Sequence, residues 1–519
     1  MDALPQDVAS LVDHWRELRP DHEAVRFGDR SWTWQEFGDR VERNAAGQRA
    51  LGLRPGDRVA YLDKNHPACL ETSMACLRVG TANAVVNFRL APDEIRYVIN
   101  DAQAQVVFVG TEFLPVLAKI RDDLPTVRRV IVVGGDQDEY EQWLAGVERL
   151  RDTGSQDPNA CFLQLYTSGT TGFPKGAMLT NASLSAHSTA SANVTDIDAD
   201  SVSMVAMPLF HVGGSAWAIV GMFHGARILV VRDIDPVSLV DDLVRQRVTH
   251  AFLVPAVFGF LLQVPGVADH DYSHVRALIY GASPMPLPLL RRSMDAFGAD
   301  PFYQVYGMTE ASGGVTMLGP EEHQDPSHEH RLMSAGKPMG GVEIAIVDPI
   351  SGEPLGPDQV GEVWVRTKQI MAGYWHKPEA DQAALAEDGW LRSGDAGHLD
   401  ADGYLYISDR IKDMIISGGE NIYPAEIERV LAEYPDVADV AVIGVPDDTW
   451  GEVGKAIVVP KPDTSFDGDA LLAYCKEHLA SFKCPKSVQV VAELPRNATG
   501  KVLKRQLREP FWASKETAI

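Results

Sequence analysis

From residue 58 onward, short apolar runs rich in β-formers alternate with helix-patterned segments. This alternation constrains the fold more than any other feature of the chain. Arg58–Asp63, Ala82–Phe88, Gln105–Gly110 and Arg129–Gly134 read as strands, with Pro67–Val79 and Pro92–Ala102 as helices between them. The rhythm resumes after 160. Phe162–Tyr166, Val202–Met207, Arg227–Val231, His250–Val254, Arg276–Tyr280 and Phe302–Val305 are predicted strands, and Pro236–Arg247 and Pro286–Phe297 predicted helices. Strands that alternate with helices form parallel sheets covered on both faces. The near-continuous apolarity of these strands agrees with burial on both sides. The predicted class is α/β, with doubly wound sheets in a large N-terminal lobe.

Past residue 340 the texture changes. Val342–Asp348, Gly361–Arg366 and Tyr404–Ser408 read as strands joined by Gly/Asp turns, a small β unit attached to the large lobe. A last α+β segment follows: Ala425–Tyr434 helical, Val440–Val445 and Lys455–Val459 extended, Asp469–Leu479 helical. The expected boundary lies at 409–413. It separates an N-terminal lobe, 1–410, from a small C-terminal lobe, 411–519.

A chain of 519 residues is long enough for several domain-sized units. With 47 Lys+Arg against 72 Asp+Glu the net charge is −25, and no basic stripe for nucleic acid is present. An anionic substrate would therefore need local positive groups. Five cysteines without a CxxC pair suit a reducing, cytoplasmic setting. The first residues, Met1-Asp2-Ala3-Leu4-Pro5, lack an apolar h-region, so no signal peptide is expected. The most apolar tract, 204–231, is interrupted by His211, His224 and Arg227. Its uncharged stretch without histidine, 212–223, is shorter than the ~20 residues of a spanning helix and reads as buried core.

Residues 166–176 read Tyr-Thr-Ser-Gly-Thr-Thr-Gly-Phe-Pro-Lys-Gly after a predicted strand. Gly169 and Gly172 permit backbone angles that turn successive N–H groups into one concavity. The hydroxyls of Thr167, Ser168, Thr170 and Thr171 can meet phosphate oxygens or a metal ion, and Lys175 adds positive charge. The spacing is not that of a Walker A loop. The segment resembles the phosphate-loop signature of the adenylate-forming superfamily, which includes acyl-CoA synthetases, peptide-synthetase adenylation domains and firefly luciferase.

Other motifs follow in that superfamily's order, and the resemblance extends over essentially the whole chain. Residues 303–310 read Tyr-Gln-Val-Tyr-Gly-Met-Thr-Glu. The resemblance implies that Tyr306 stacks on adenine, that Gln304, Gly307 and Thr309 belong to the nucleotide site, and that Glu310 with Thr167 holds Mg²⁺. Gly281-Ala282-Ser283 would lie against adenine. Asp395, in Gly-Trp-Leu-Arg-Ser-Gly-Asp, resembles a ribose-binding aspartate, and Arg410 an arginine that reaches ribose and phosphate. Lys412 falls at the hinge position. Ser417-Gly418-Gly419 resembles the turn that lines the CoA thiol channel once the small lobe has rotated. Lys501, in Pro-Arg-Asn-Ala-Thr-Gly-Lys, matches the lysine that enters the site during adenylation. This chain has Arg496-Asn497 where Lys-Thr is common.

For the acyl group the residues say less. His211, in Pro-Leu-Phe-His-Val-Gly-Gly, matches the histidine that acyl- and aryl-CoA ligases place near the carboxylate. Amino-acid-activating members usually have aspartate there, so an amino-acid substrate is disfavoured. His211, Val212, Gly213 and Gly214 are the expected acyl-pocket residues. Bulky Phe210, Trp217, Met308 and the 253–260 stretch suit an apolar tunnel. A gating tryptophan that some long-chain members carry four residues after this histidine is replaced by Ser215.

The resemblance thus implies an AMP-forming acid–thiol ligase, most like a fatty-acyl-CoA synthetase, with ATP, Mg²⁺ and CoA. Lys501, Glu310 and His211 are its expected catalytic residues, and a fatty or alicyclic acid its expected substrate, aromatic acids staying open. Alternatives are a ligase that stops at the adenylate or loads a carrier protein, and a non-catalytic nucleotide-binding protein. Family members are often homodimers, and peripheral membrane contact stays open.

Overall fold

The computed structural model describes residues 3–136, 138–150, 157–167, 174–298, 300–417, 420–447, 449–462, 464–481, 483–496 and 502–512. The chain divides into two compact units, Met1–Ile344 with Val365–Arg392, and Ala345–Trp364 with Ser393–Ile519.

The first unit is built on two large sheets, mostly parallel. One has six strands in the order Arg129–Val133, Val106–Gly110, Arg58–Leu62, Ala82–Val85, Cys161–Thr167 and Lys175–Thr180. Its last strand runs antiparallel to Cys161–Thr167 and all other neighbours are parallel. The second sheet has nine strands, from Lys337–Pro338 and Gly313–Leu318 through Phe302–Met308, Ala277–Gly281, His250–Leu253, Val202–Val205 and Arg227–Val230 to the hairpin Glu23–Phe27/Arg30–Thr33. Helices cover both sheets. The central strands Arg58–Leu62, Val106–Gly110 and Ala277–Gly281 are buried at every position, as the continuous apolar runs required. Helix Pro67–Val79 is buried along its whole length. It starts at a Pro after an N-capping His66 and stops at Gly80, whose φ of +80° favours glycine.

Residues before 50, which carry no motif, complete the nine-stranded sheet. The Glu23–Phe27 strand pairs in parallel with Arg227–Val230. Helix Trp34–Ala50 opens on a capping box, with Thr33 bonded to the Glu36 N–H and the Glu36 side chain returning to Thr33.

Strands Val342–Val347, Gly361–Thr367, Trp390–Leu399 and Leu405–Arg410 form a four-stranded sheet in that order. Beyond it, Glu420–Ile422, Ile415–Ser417, Gly451–Pro460 and Val437–Asp447 form a sheet that Ser487–Val490 joins in parallel. Helices Pro424–Ala432 and Gly468–His478 bury Ile427, Leu431, Leu471 and Cys475 in the same apolar cluster as Val442 and Val458 of that sheet. The α/β class with a large N-terminal sheet region and a smaller C-terminal one is as expected.

Candidate functional site

Thr167 ends the Cys161–Thr167 strand, and Lys175 opens the antiparallel strand that returns from it. Ser168, Gly169, Thr170, Thr171 and Gly172, between them, lie outside the described residues. The neighbouring strand Phe302–Met308 leads into a short turn holding Thr309 and Glu310. The two segments meet: Thr167 Oγ1 donates to Glu310 Oε1 at 3.3 Å. A residue that no motif pointed to completes this contact, Tyr374, whose hydroxyl donates to the same oxygen at 2.7 Å. Its ring also lies 4.6 Å from the Lys175 ammonium. Glu310 Oε2 accepts no hydrogen bond among the described residues.

The strand that carries Thr167 is braced from behind. Tyr166 donates to Asp101 Oδ2 at 2.9 Å, and Lys377 pairs with Asp101 Oδ1 at the same distance. The bond to Asp101 holds the Lys377 ammonium above its ordinary pKa. Trp375 Nε1 donates to the Asp101 backbone, and the Arg58 guanidinium lies 3.3 Å from the Trp375 ring centre.

The residues expected beside adenine sit on adjacent strands. Gly281 ends Ala277–Gly281 and pairs with Val305. A Cβ at Gly281 would overlap the Val305 carbonyl oxygen, so the approach of these strands requires glycine. Ala282 adopts φ +64°, an uncommon conformation for a residue with a side chain. Gln304, Tyr306 and Gly307 lie along Phe302–Met308, and a Cβ on Gly307 would overlap the Gly313 carbonyl.

His211 caps helix Val212–Phe223, its Nδ1 accepting from the Gly213 N–H at 3.1 Å. An acceptor Nδ1 fixes the neutral ring as the Nε2–H tautomer. Burial lowers its pKa, which keeps the ring neutral near pH 7. Gly213 and Gly214 are required by space: a Cβ would press on Phe252 at the first and overlap the Pro208 carbonyl at the second. The turn before the helix is hung on Asn65, another residue without a motif. Asn65 Oδ1 accepts from the Leu209 N–H at 2.9 Å, and Nδ2 donates to the carbonyls of Met207 and Val231, both at 3.0 Å. Asn65 follows the Arg58–Leu62 strand, so it ties one sheet to the strand ends of the other. A cavity of about 390 Å³ is lined by residues that include Ser185, Thr189, Gly340 and Gln369, and by none of the motif residues.

In the second unit, Asp395 and Arg410 face each other as paired residues of the antiparallel strands Trp390–Leu399 and Leu405–Arg410. Asp395 is buried, and its N–H is bonded to Ser393 Oγ at 3.0 Å. Lys412 lies in the turn Ile411–Asp413 directly after. Ser417 pairs with Glu420 and Gly451, while Gly418 and Gly419 lie outside the described residues. Lys501 also lies outside them; the helix after it, Lys504–Trp512, is pinned by Lys504–Glu428 and Arg508–Asp413 ion pairs, both 2.8 Å. The cysteines are free, and burial pushes the Cys76 and Cys161 thiols up to about 12 and about 11. No thiolate nucleophile is at hand there.

This arrangement is matched by known proteins over nearly the whole chain. The family model described as AMP-binding enzyme matches residues 12–375, and that of the AMP-binding enzyme C-terminal domain matches 426–501. The chain is similar to a feruloyl-CoA synthase of an Amycolatopsis species, 40% identical over 496 residues, 95% of this chain and 97% of the relative. It is also similar to a fatty acid–[acyl-carrier-protein] ligase of Streptomyces coeruleorubidus, 36% identical over 98% of this chain and 97% of that one. Among solved structures, o-succinylbenzoate CoA synthetase from Bacillus subtilis with its acyl-adenylate superposes with a TM-score of 0.84 at 30% identity, covering 96% of this chain and 97% of that one. The chain belongs to the AMP-binding enzyme family, the adenylate-forming acyl-CoA ligases. Such enzymes use a carboxylic acid, ATP and CoA. Among the described residues, no helix is long and apolar enough to cross a membrane.

Proposed function

We propose that this enzyme activates a carboxylic acid with an apolar body, fatty or alicyclic, and transfers it to CoA. The carboxylate oxygen attacks the α-phosphorus of ATP, and the bond to pyrophosphate breaks. The CoA thiol, losing its proton, then attacks the acyl carbon, and AMP leaves. The observation that supports this best is the meeting of Thr167 and Glu310, 143 residues apart, beside Lys175.

Thr167, Ser168, Gly169, Thr170, Thr171, Gly172 and Lys175 would bind the phosphates, and Gly281, Ala282, Ser283, Gln304, Tyr306, Gly307 and Thr309 the base side of the nucleotide. A hydroxyl and a carboxylate oxygen are hard donors suited to Mg²⁺, so Thr167 and Glu310 Oε2 fit that ion. When bound, it offsets charge on the phosphate oxygens. The neutral His211, with its proton on Nε2, can donate to the substrate carboxylate beside Val212, Gly213 and Gly214. Asp395 accepts from the ribose hydroxyls, and Arg410 supplies charge toward the phosphate. Lys501 neutralises charge as the carboxylate and α-phosphate meet. Residues 1–410 and 411–519 would turn about Lys412 between the two half-reactions, bringing Ser417, Gly418 and Gly419 to the thiol path. Five cysteines without a CxxC pair support a reducing compartment, the cytoplasm.

A second reading, an aryl acid, is favoured by the 40% identity to a feruloyl-CoA synthase. The test is incubation with ATP, Mg²⁺ and a panel of fatty, alicyclic and aryl acids, with and without CoA, following AMP and thioester by mass spectrometry. CoA-dependent thioester with fatty or alicyclic acids supports the first reading. Thioester with aryl acids alone selects the second. Adenylate that is never passed to CoA removes the CoA-transfer step and turns attention to a carrier-protein thiol.

A further inference from the structure

The assignment of Glu310 to the divalent cation leaves open what orients its carboxylate. A glutamate side chain has several rotatable bonds, and ordering it has an entropic cost. Two hydroxyls converge on Glu310 Oε1, from Thr167 at 3.3 Å and Tyr374 at 2.7 Å, and the shorter is Tyr374's. With Oε1 doubly bonded, Oε2 is the oxygen left for a cation.

Tyr374 is placed for this by backbone rather than by chance packing. The Met371 N–H donates to the Glu310 carbonyl at 2.9 Å, so the segment is bonded to the backbone of the residue it serves. The Met178 N–H donates to the Gly373 carbonyl, and the Trp375 N–H to the Gly176 carbonyl, fastening the same segment to the strand that Lys175 opens. The Tyr374 N–H donates to Asp381 Oδ1 at 2.6 Å, and Asp381 lies against Gly373, whose φ is +121°. Tyr374 itself is buried. The residue therefore joins three things in one unit: the Glu310 backbone, the Glu310 carboxylate and the strand that Lys175 opens.

We propose that Tyr374 is a positioning residue for nucleotide activation: its hydroxyl fixes Glu310 Oε1 so that Oε2 is presented to the divalent cation that accompanies ATP. This rests on the reading of Glu310 as the cation's carboxylate. It also assigns a role to the short segment Met371–Trp375, which lies outside every motif.

The test compares wild type, Tyr374→Phe and Glu310→Gln. Phenylalanine keeps the ring beside Lys175 and removes only the hydroxyl. Mn²⁺ is titrated into each protein with α,β-methylene-ATP, and binding is read by electron paramagnetic resonance. The half-saturating Mg²⁺ for acid-dependent ATP–pyrophosphate exchange is measured in parallel. Loss of one hydrogen bond to a charged group should weaken Mn²⁺ binding about tenfold in Tyr374→Phe. Half-saturating Mg²⁺ should rise by a similar factor, with KM for the acid and the melting temperature close to wild type. Glu310→Gln should weaken the ion further. If Glu310→Gln loses Mn²⁺ affinity and Tyr374→Phe does not, the role of Tyr374 is overturned and the cation site stands. If Glu310→Gln binds Mn²⁺ as wild type does, the cation assignment fails and the proposal with it. If Tyr374→Phe lowers the melting temperature and raises the acid KM with no change in Mn²⁺ affinity, Tyr374 is structural only.

Discussion

The two units assemble their candidate nucleotide residues in opposite ways. In the first unit Thr167, Glu310 and Tyr374 come from three distant segments, and their meeting depends on sheet order and on backbone bonds between those segments. In the second unit Asp395 and Arg410 are fifteen residues apart and face each other across one antiparallel pair. The first is a tertiary construction, sensitive to packing at many places. The second is a local one, secured by a strand pair and its turn. Substitutions in the first unit should therefore disturb several functions together, whereas those in the second should affect one step with little cost to folding.

The largest expected effect tests the second half of that contrast. Lys501→Ala should slow adenylation by about 10²–10³-fold, the scale found when one transition-state charge partner is removed. Thiolysis of supplied acyl-adenylate should stay near wild type. Equal loss of both half-reactions would sink the assignment and the idea of a single-step residue.

Next comes Gly214→Ala in the first unit. A methyl group there would overlap the Pro208 carbonyl oxygen in the turn that presents His211. The variant should lose about 2–3 kcal/mol of stability, of the kind seen for overpacked sites, and show a raised KM for the acid. Thermal melting and steady-state kinetics on one preparation would read both. A fully active, equally stable variant would mean that this turn yields more easily than the tertiary picture allows.

Asp395→Asn should raise KM for ATP about 10–100-fold, from weakened charge-assisted bonds to ribose. Its melting temperature without nucleotide should hardly move. A large stability loss instead would show that the buried carboxylate serves the fold.

A further effect is absent at neutral pH and develops only in acid. Burial holds His187 and His250, both in the first unit, down to about 4. In the unfolded chain they titrate near 6.5. The unfolded state thus takes up protons that the native state refuses, so the stability they contribute is complete above pH 6.5. It is lost as pH falls toward 4, by up to about 3 kcal/mol for each ring. Hydrogen exchange between pH 7 and 4.5 should show first-unit peptides around 187 and 250 losing protection. A His187→Gln variant should show a shallower fall in melting temperature across that range. An unchanged slope would remove His187 from the explanation.

How much of this could be read from the chain follows the same division between local and tertiary. Helix Pro67–Val79 was legible residue for residue because proline and Gly80 punctuate it. The central parallel strands were legible because burial on both faces leaves an unbroken apolar run. Asp395 and Arg410 carried their own local motifs. The hairpin and helix before residue 50 were not read, although Thr33 and Glu36 spell a capping box and Gly28 a turn with φ +56°. Their strand pairs with one two hundred residues away, and no local pattern announces such a partner. Asn65 and Tyr374 escaped for the same reason. An asparagine after a strand and a tyrosine after a glycine look ordinary until the chain brings Leu209 or Glu310 beside them. The apolar tract 204–231 was read as core, but the helix within it, Val212–Phe223, is apolar on nearly every side, so periodicity could not delimit it.

The central claim is that a carboxylate attacks the α-phosphorus and leaves its oxygen there. The direct measurement uses an acid from the active class labelled with ¹⁸O in its carboxylate, turned over with ATP, Mg²⁺ and CoA. The products are then analysed by mass spectrometry. AMP should carry one ¹⁸O and pyrophosphate none, since the acyl C–O bond breaks when the thiol attacks. Label in inorganic phosphate, with ADP in place of AMP, would show attack at the terminal phosphorus and contradict it.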